Sequence, residues 1–149
     1  MCAYKHMAEA WRKPANSYLK ATMQDAAIKW RRDPTILRLD RPTRLDRASN
    51  LGYRAKQGFV VVRVRIRKGG ARKHRPISGR RQRAMGVTKF TRSKSLKSIA
   101  QDRVAKKFPN LKVMNSYWVW QDGRNMWFET VLVDPKCSAT RSSRQNHTM

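Results

Sequence analysis

Acidic residues are what this chain has least of. Nine aspartates and glutamates stand against 35 lysines and arginines in 149 residues, a formal charge of +26. From Arg47 to Gln101, 55 residues pass without a carboxylate while 17 lysines and arginines accumulate. Nothing within that stretch can neutralise its own charge, so a partner must supply the negative sign. A compact domain this basic also repels itself, which favours a polyanion partner. Phosphate backbones are the commonest one, because each neutralised phosphate releases condensed counterions.

Other shortages exclude other classes. The two cysteines, Cys2 and Cys137, form no CxxC pair and have no histidine at ligand spacing, so neither a disulfide framework nor a zinc site is expected. A reducing, intracellular setting fits them. No apolar run exceeds four residues, as in Phe59 to Val62, so neither a membrane span nor a signal peptide is expected. Cys2 in place of glycine, and no cysteine four from the end, give no lipidation signal.

Catalytic groups are equally sparse. His6, His74 and His147 lie far apart with no serine, cysteine or aspartate arranged around them. The closest acidic pair, Asp40 and Asp46, falls among arginines and reads as ion-pair partners. A metal-dependent nuclease needs carboxylates converging on a cation, and there is neither a GxxxxGK[ST] loop nor a strand-linked GxGxxG. No enzyme, metal, cofactor or small-molecule substrate is expected.

What is present reads as α+β: a small antiparallel sheet packed with helices, with a long basic loop and extended termini. Only 40% of residues are apolar, so part of the chain should lie outside any core. Tyr4, Met7, Ala8 and Trp11 form one helical stripe; after Pro14 a second runs Leu19, Met23, Ala26, Ala27, Trp30 and ends at Asp33-Pro34. Thr35 to Arg41 reads as extended. Thr43 should cap a short helix, with Asp46 as capping-box partner and Gly52 as its stop.

Residues 59–67 form the clearest strand. Val60, Val62, Val64 and Ile66 point to a core, and Phe59, Val61, Arg63, Arg65 and Arg67 point the other way. Arg63, Arg65 and Arg67 should therefore present a row of charge about 7 Å apart. Residues 68–92 lack periodicity and form a basic arm. Its glycines allow close backbone approach and its arginines can fork onto phosphate. Arg72, Lys73, Arg75, Arg80, Arg81 and Arg83 are its candidate RNA contacts.

Leu96, Ile99, Ala100, Val104 and Phe108 make a buried helical stripe within residues 93–108. Residues 111–120 and 126–133 read as a hairpin turning at Asp122-Gly123. Its aromatics, Tyr117, Trp118, Trp120, Trp127 and Phe128, could stack on bases, but core packing is the stronger reading. Tyr117 and Val119 should share one face, Trp118 and Trp120 the other. One domain should span residues 1–135, and residues 136–149 should form a polar, disordered tail.

Several blocks, in order, resemble one family. They are Ala3-Tyr-Lys-His-Met-Ala-Glu-Ala-Trp-Arg-Lys-Pro14, Asp40-Arg-Pro-Thr-Arg-Leu-Asp-Arg47, Leu51-Gly-Tyr-Arg-Ala-Lys-Gln-Gly58 and Val62-Arg-Val-Arg-Ile-Arg-Lys-Gly-Gly70, then Pro109-Asn-Leu-Lys-Val-Met-Asn-Ser-Tyr-Trp-Val119 and Val131-Leu-Val-Asp-Pro135. The family is the fifteen-numbered large-subunit ribosomal protein of archaea and eukaryotes, unrelated to the bacterial protein of that number. The resemblance covers residues 3–135. Family members continue for several tens of residues, and residues 136–149 do not look like that continuation.

The resemblance implies a structural constituent of the large ribosomal subunit, cytoplasmic, that binds large-subunit RNA beside neighbouring ribosomal proteins. It implies an RNA-facing role for Arg41, Arg44, Lys56, Arg63, Arg65, Arg67 and Lys68. Arg47 and Arg54, in the same blocks, complete the candidate set. The rival readings are a basic protein that compacts DNA or RNA outside the ribosome, and an RNA-processing nuclease using Asp40 or Asp46.

Overall fold

The computed structural model describes residues 3–71, 73–87 and 92–140. Helix α1 (Ala3–Ala10) stops short of a 3-10 turn at Pro14–Asn16, because proline has no N–H to continue it. Helix α2 (Leu19–Arg32) ends at Asp33, held extended (ψ 158°) by the following Pro34. Then come β1 (Ile36–Leu39), α3 (Leu45–Asn50), β2 (Phe59–Arg67), α4 (Leu96–Lys107), β3 (Lys112–Gln121) and β4 (Asn125–Val133). The strands make one antiparallel sheet in the order β1-β2-β4-β3. The segment expected to be merely extended thus supplies β1, paired from Ile36↔Val64 to Leu39↔Val61.

Both faces of the sheet are covered, and this overturns the expected guanidinium face. Helix α4 packs on one side, where Val62, Val64, Ile66, Phe128 and Leu132 meet Ala100 and Val104. Helices α2 and α3 pack on the other, where Met23, Ala27, Trp30 and Ala48 meet Tyr117, Val119, Trp127 and Val131. Trp30 and Trp127 meet edge-on, 5.7 Å apart, worth about 0.5–1.5 kcal/mol beyond the area they bury.

Local signals explain most boundaries. Ser95 caps α4 by accepting the Ser98 N–H at 3.1 Å. Helix α3 ends in a Schellman motif: Gly52 (φ +93°) donates to the Ser49 carbonyl at 3.0 Å and Tyr53 to Ala48 at 2.9 Å. Its start differs from expectation. Arg44, not Thr43, precedes the first turn and no side chain caps it, because the Thr43 N–H is drawn to Glu129.

Strand β3 carries irregularities at Val113/Asn115 and Trp118/Trp120. The second is a bulge at Val119. Trp120 packs against the α2-side core and Trp118 against the α4-side core, yet their rings stay neighbours, 6.2 Å apart on this edge strand.

The expected tail is shortened. Thr140 is buried, and its hydroxyl donates to the carbonyls of Asp134 (2.6 Å) and Cys137 (2.7 Å). Residues 136–140 therefore fold back against Gly58, and residues 141–149 lie outside the described residues.

Candidate nucleic-acid interface

Two of the β2 arginines, Arg63 and Arg65, meet the end of α2 rather than solvent. Arg63 is only 8% exposed. Its guanidinium contacts Asp33 at 2.6 Å and stacks over Trp30, 4.2 Å from the ring centroid. Burial pulls its pKa below the ordinary arginine value, opposed by the charges of Asp33 and Glu129. Arg65, half-buried, donates to the carbonyls of Trp30 (3.4 Å) and Arg31. Those carbonyls belong to the last turn of α2, whose C-terminus favours cations.

The expected surface row of three charges is therefore not formed: two of them close a helix. Asp33, fourteen residues before the acid-free stretch begins at Arg47 and thirty before Arg63, supplies the negative charge that the stretch itself lacks. Arg67 alone of the three is exposed, donating to the Gly70 carbonyl at 3.1 Å.

Behind Arg63 runs a polar seam that sequence reading missed. The pairing places Arg63, Glu129 and Tyr117 side by side across β2, β4 and β3. Glu129 is fully buried and accepts from the Tyr117 hydroxyl at 2.6 Å and from the Thr43 N–H at 3.1 and 3.3 Å. Burial pushes its carboxyl above the usual range, against the hydrogen bonds and Arg63 that favour ionisation. The Tyr117 hydroxyl is held far above its ordinary value by burial, then by Glu129. One charged residue inside the otherwise mostly apolar run of β4 was the available signal.

Arg44 is also structural in placement. It bonds Asp46 at 3.3 Å and lies 4.7 Å from the Trp11 ring centroid, tying α1 to α3. Arg72 lies outside the described residues. The other candidates, Arg41, Arg47, Arg54, Lys56, Arg67, Lys68, Lys73, Arg75, Arg80, Arg81 and Arg83, are all exposed. None of these eleven makes an ion pair among the described residues.

These cations gather at two poles. Leu39 pairs with Val61, so the chain leaves β1 toward the Phe59 end of the sheet. Arg41 follows there, Arg54 and Lys56 lie just before Phe59, and Arg47 lies on α3. At the Arg67 end, the arm begins with the Lys68 N–H on the Arg124 carbonyl at 2.7 Å. Nine residues of β2 separate the poles by roughly 26 Å. Arg92 and Arg67 close the base of the arm on the carbonyls of Gly69 and Gly70. Its middle holds one 3-10 turn, Gln82–Ala84, with Arg75 reaching the Met85 carbonyl at 3.3 Å.

The aromatics do not form a base-stacking surface. Tyr117, Trp127 and Phe128 are buried, and Trp118 and Trp120 are half-buried in the two cores. Among the described residues no three histidines, cysteines or carboxylates gather where they could hold a metal, and no helix is long and apolar enough to cross a membrane.

A family model described as Ribosomal L15 matches residues 2–148, including the C-terminal residues that the block-by-block resemblance left out. A two-poled basic α+β domain, with the family's sequence over nearly its whole length, therefore belongs to the Ribosomal L15 family of archaea and eukaryotes, structural proteins of the large ribosomal subunit.

Proposed function

We propose that the chain binds large-subunit ribosomal RNA at both basic poles and ties together the RNA segments that meet them. The observation that supports this best is the set of eleven exposed cations that make no ion pair among the described residues, the arm's leaving one end of the sheet and Arg41, Arg54 and Lys56 lying toward the other. Arginine forks and lysine point charges bind phosphate without reading bases, and A-form RNA hides its base edges in a narrow major groove. Recognition is then by shape, and the role is scaffolding rather than catalysis. Arg63, Arg65 and Arg44 act indirectly by holding α2 and α3 in place. Neighbouring proteins of the subunit are the second partner class, and the cytoplasmic ribosome is the working site.

The test is binding of the full chain to large-subunit RNA over a salt series. Arg54→Ala and Arg81→Ala, one at each pole, should each flatten the salt slope by roughly 0.7–0.9. Arg63→Met should leave the slope unchanged. Salt-insensitive binding would sink the electrostatic account, and equal affinity for duplex DNA would favour a general compacting protein.

A further inference from the structure

A cleft of about 350 Å³ opens between the end of β2 and the start of α4, at the small end of the roughly 300–1,000 Å³ span of ligand sites. Its inner wall is apolar, made by buried Ile66 and half-buried Leu96 and Ile99. Its cations are Arg67, Arg92, Lys94 and Arg103. Lys94 is engaged by Asp102 at 2.6 Å. Arg103 is exposed and makes no ion pair among the described residues. Arg92 is half-buried and spends one terminal nitrogen on the Gly69 carbonyl.

An inorganic anion would leave the aliphatic wall unused, and a hydrocarbon would leave the cations uncompensated. An unstacked nucleotide uses both, since its base has an apolar face and its phosphate a charge. RNA presents such splayed nucleotides at loops and bulges, where guanidinium planes stack on bases.

We propose that this cleft receives one extruded nucleotide of the bound RNA, with the base on Ile66, Leu96 and Ile99 and the phosphate between Arg67 and Arg103. The proposal rests on the RNA-binding reading above and adds a receptor for a single base. It places the pocket at the arm's base, so the arm's phosphate contacts and the base contact engage together.

The full chain, methyl-labelled at isoleucine and leucine, would be titrated with the four nucleoside monophosphates, with the nucleosides and with inorganic phosphate. A monophosphate should shift the Ile66 and Ile99 methyls saturably and bind about tenfold more tightly than either half alone, the value of one charge-assisted contact. Arg103→Ala, on the exposed side of α4, should reduce the monophosphate to the nucleoside's affinity while other methyls stay in place. The proposal is overturned if phosphate binds as tightly as the monophosphate without moving those methyls, or if no saturable shift occurs. Salt-dependent RNA binding that persists beside unmoved methyls would remove the nucleotide cleft alone; loss of both would remove the RNA reading as well.

Discussion

Glu129 shows how much one side chain can commit. It is fully buried, its partners are a phenol and a backbone N–H, and burial lifts its pKa above the ordinary glutamate value of 4.5. The folded state then holds the proton to higher pH than the unfolded state does. The group's contribution is complete below about 4.5 and is lost as pH rises through the folded value. Glu129→Gln removes this titration. Urea unfolding should show the wild type losing stability relative to Glu129→Gln as pH climbs from mildly acidic to neutral; a pH-independent gap would contradict the sign. Glu129→Ala should cost about 1–3 kcal/mol for each orphaned partner. Arg63 obeys related logic: truncating Asp33 would leave a buried cation unpaired, which is worse than replacing Arg63 by an apolar side chain.

Among elements, the turn into β2 is the most constrained. Gly58 has φ +85°, and a Cβ there would lie 2.6 Å from the Thr140 methyl and 3.0 Å from the Cys137 Cβ. Gly58→Ala should cost about 1–2 kcal/mol from backbone conformation alone, plus the displacement of residues 136–140. Thr140→Ser in that background should return part of the loss, read as a coupling energy in a double-mutant cycle; simple additivity would deny the contact. The helices and hairpin were legible because their signals are local: the stripe from Leu19 to Trp30, the Ser95 cap with its following stripe, the turn at Asp122-Gly123. The orientation of the β2 arginines was not, because it depends on Asp33, thirty residues away and brought close only by the docking of α2. The same holds for the register shift of β3 at Val119, which alternation cannot reveal, and for Thr140, which packs where Gly58 leaves room. Of the proposed interface, the exposed cations of the arm and of the α3 flanks could be read from charge alone. The cleft could not, since Arg92 and Arg103 fall on a loop and a helix that meet only in the fold.

At the scale of the whole molecule, charge opposes compaction. With +26 formal charges, the free protein should gain thermal stability as salt rises, because screening weakens self-repulsion. A melting series from low to high salt would show this, and a flat or falling Tm would place the limit elsewhere. The poles lie roughly 26 Å apart, well beyond the Debye length of about 8 Å at physiological ionic strength, so each should behave as its own electrostatic site. The strand order adds a constraint on how the chain is made. Strand β4, the last strand in sequence among the described residues, lies between β2 and β3. During synthesis from the N-terminus, β2 is completed and then waits through α4 and β3 with one edge unpaired and its valines uncovered. The sheet should therefore close late and with high contact order, once Asn125–Val133 is available to pair with both β2 and β3. Until then the nascent chain is a highly basic polymer with open strand edges, the state most prone to capture by the wrong polyanion.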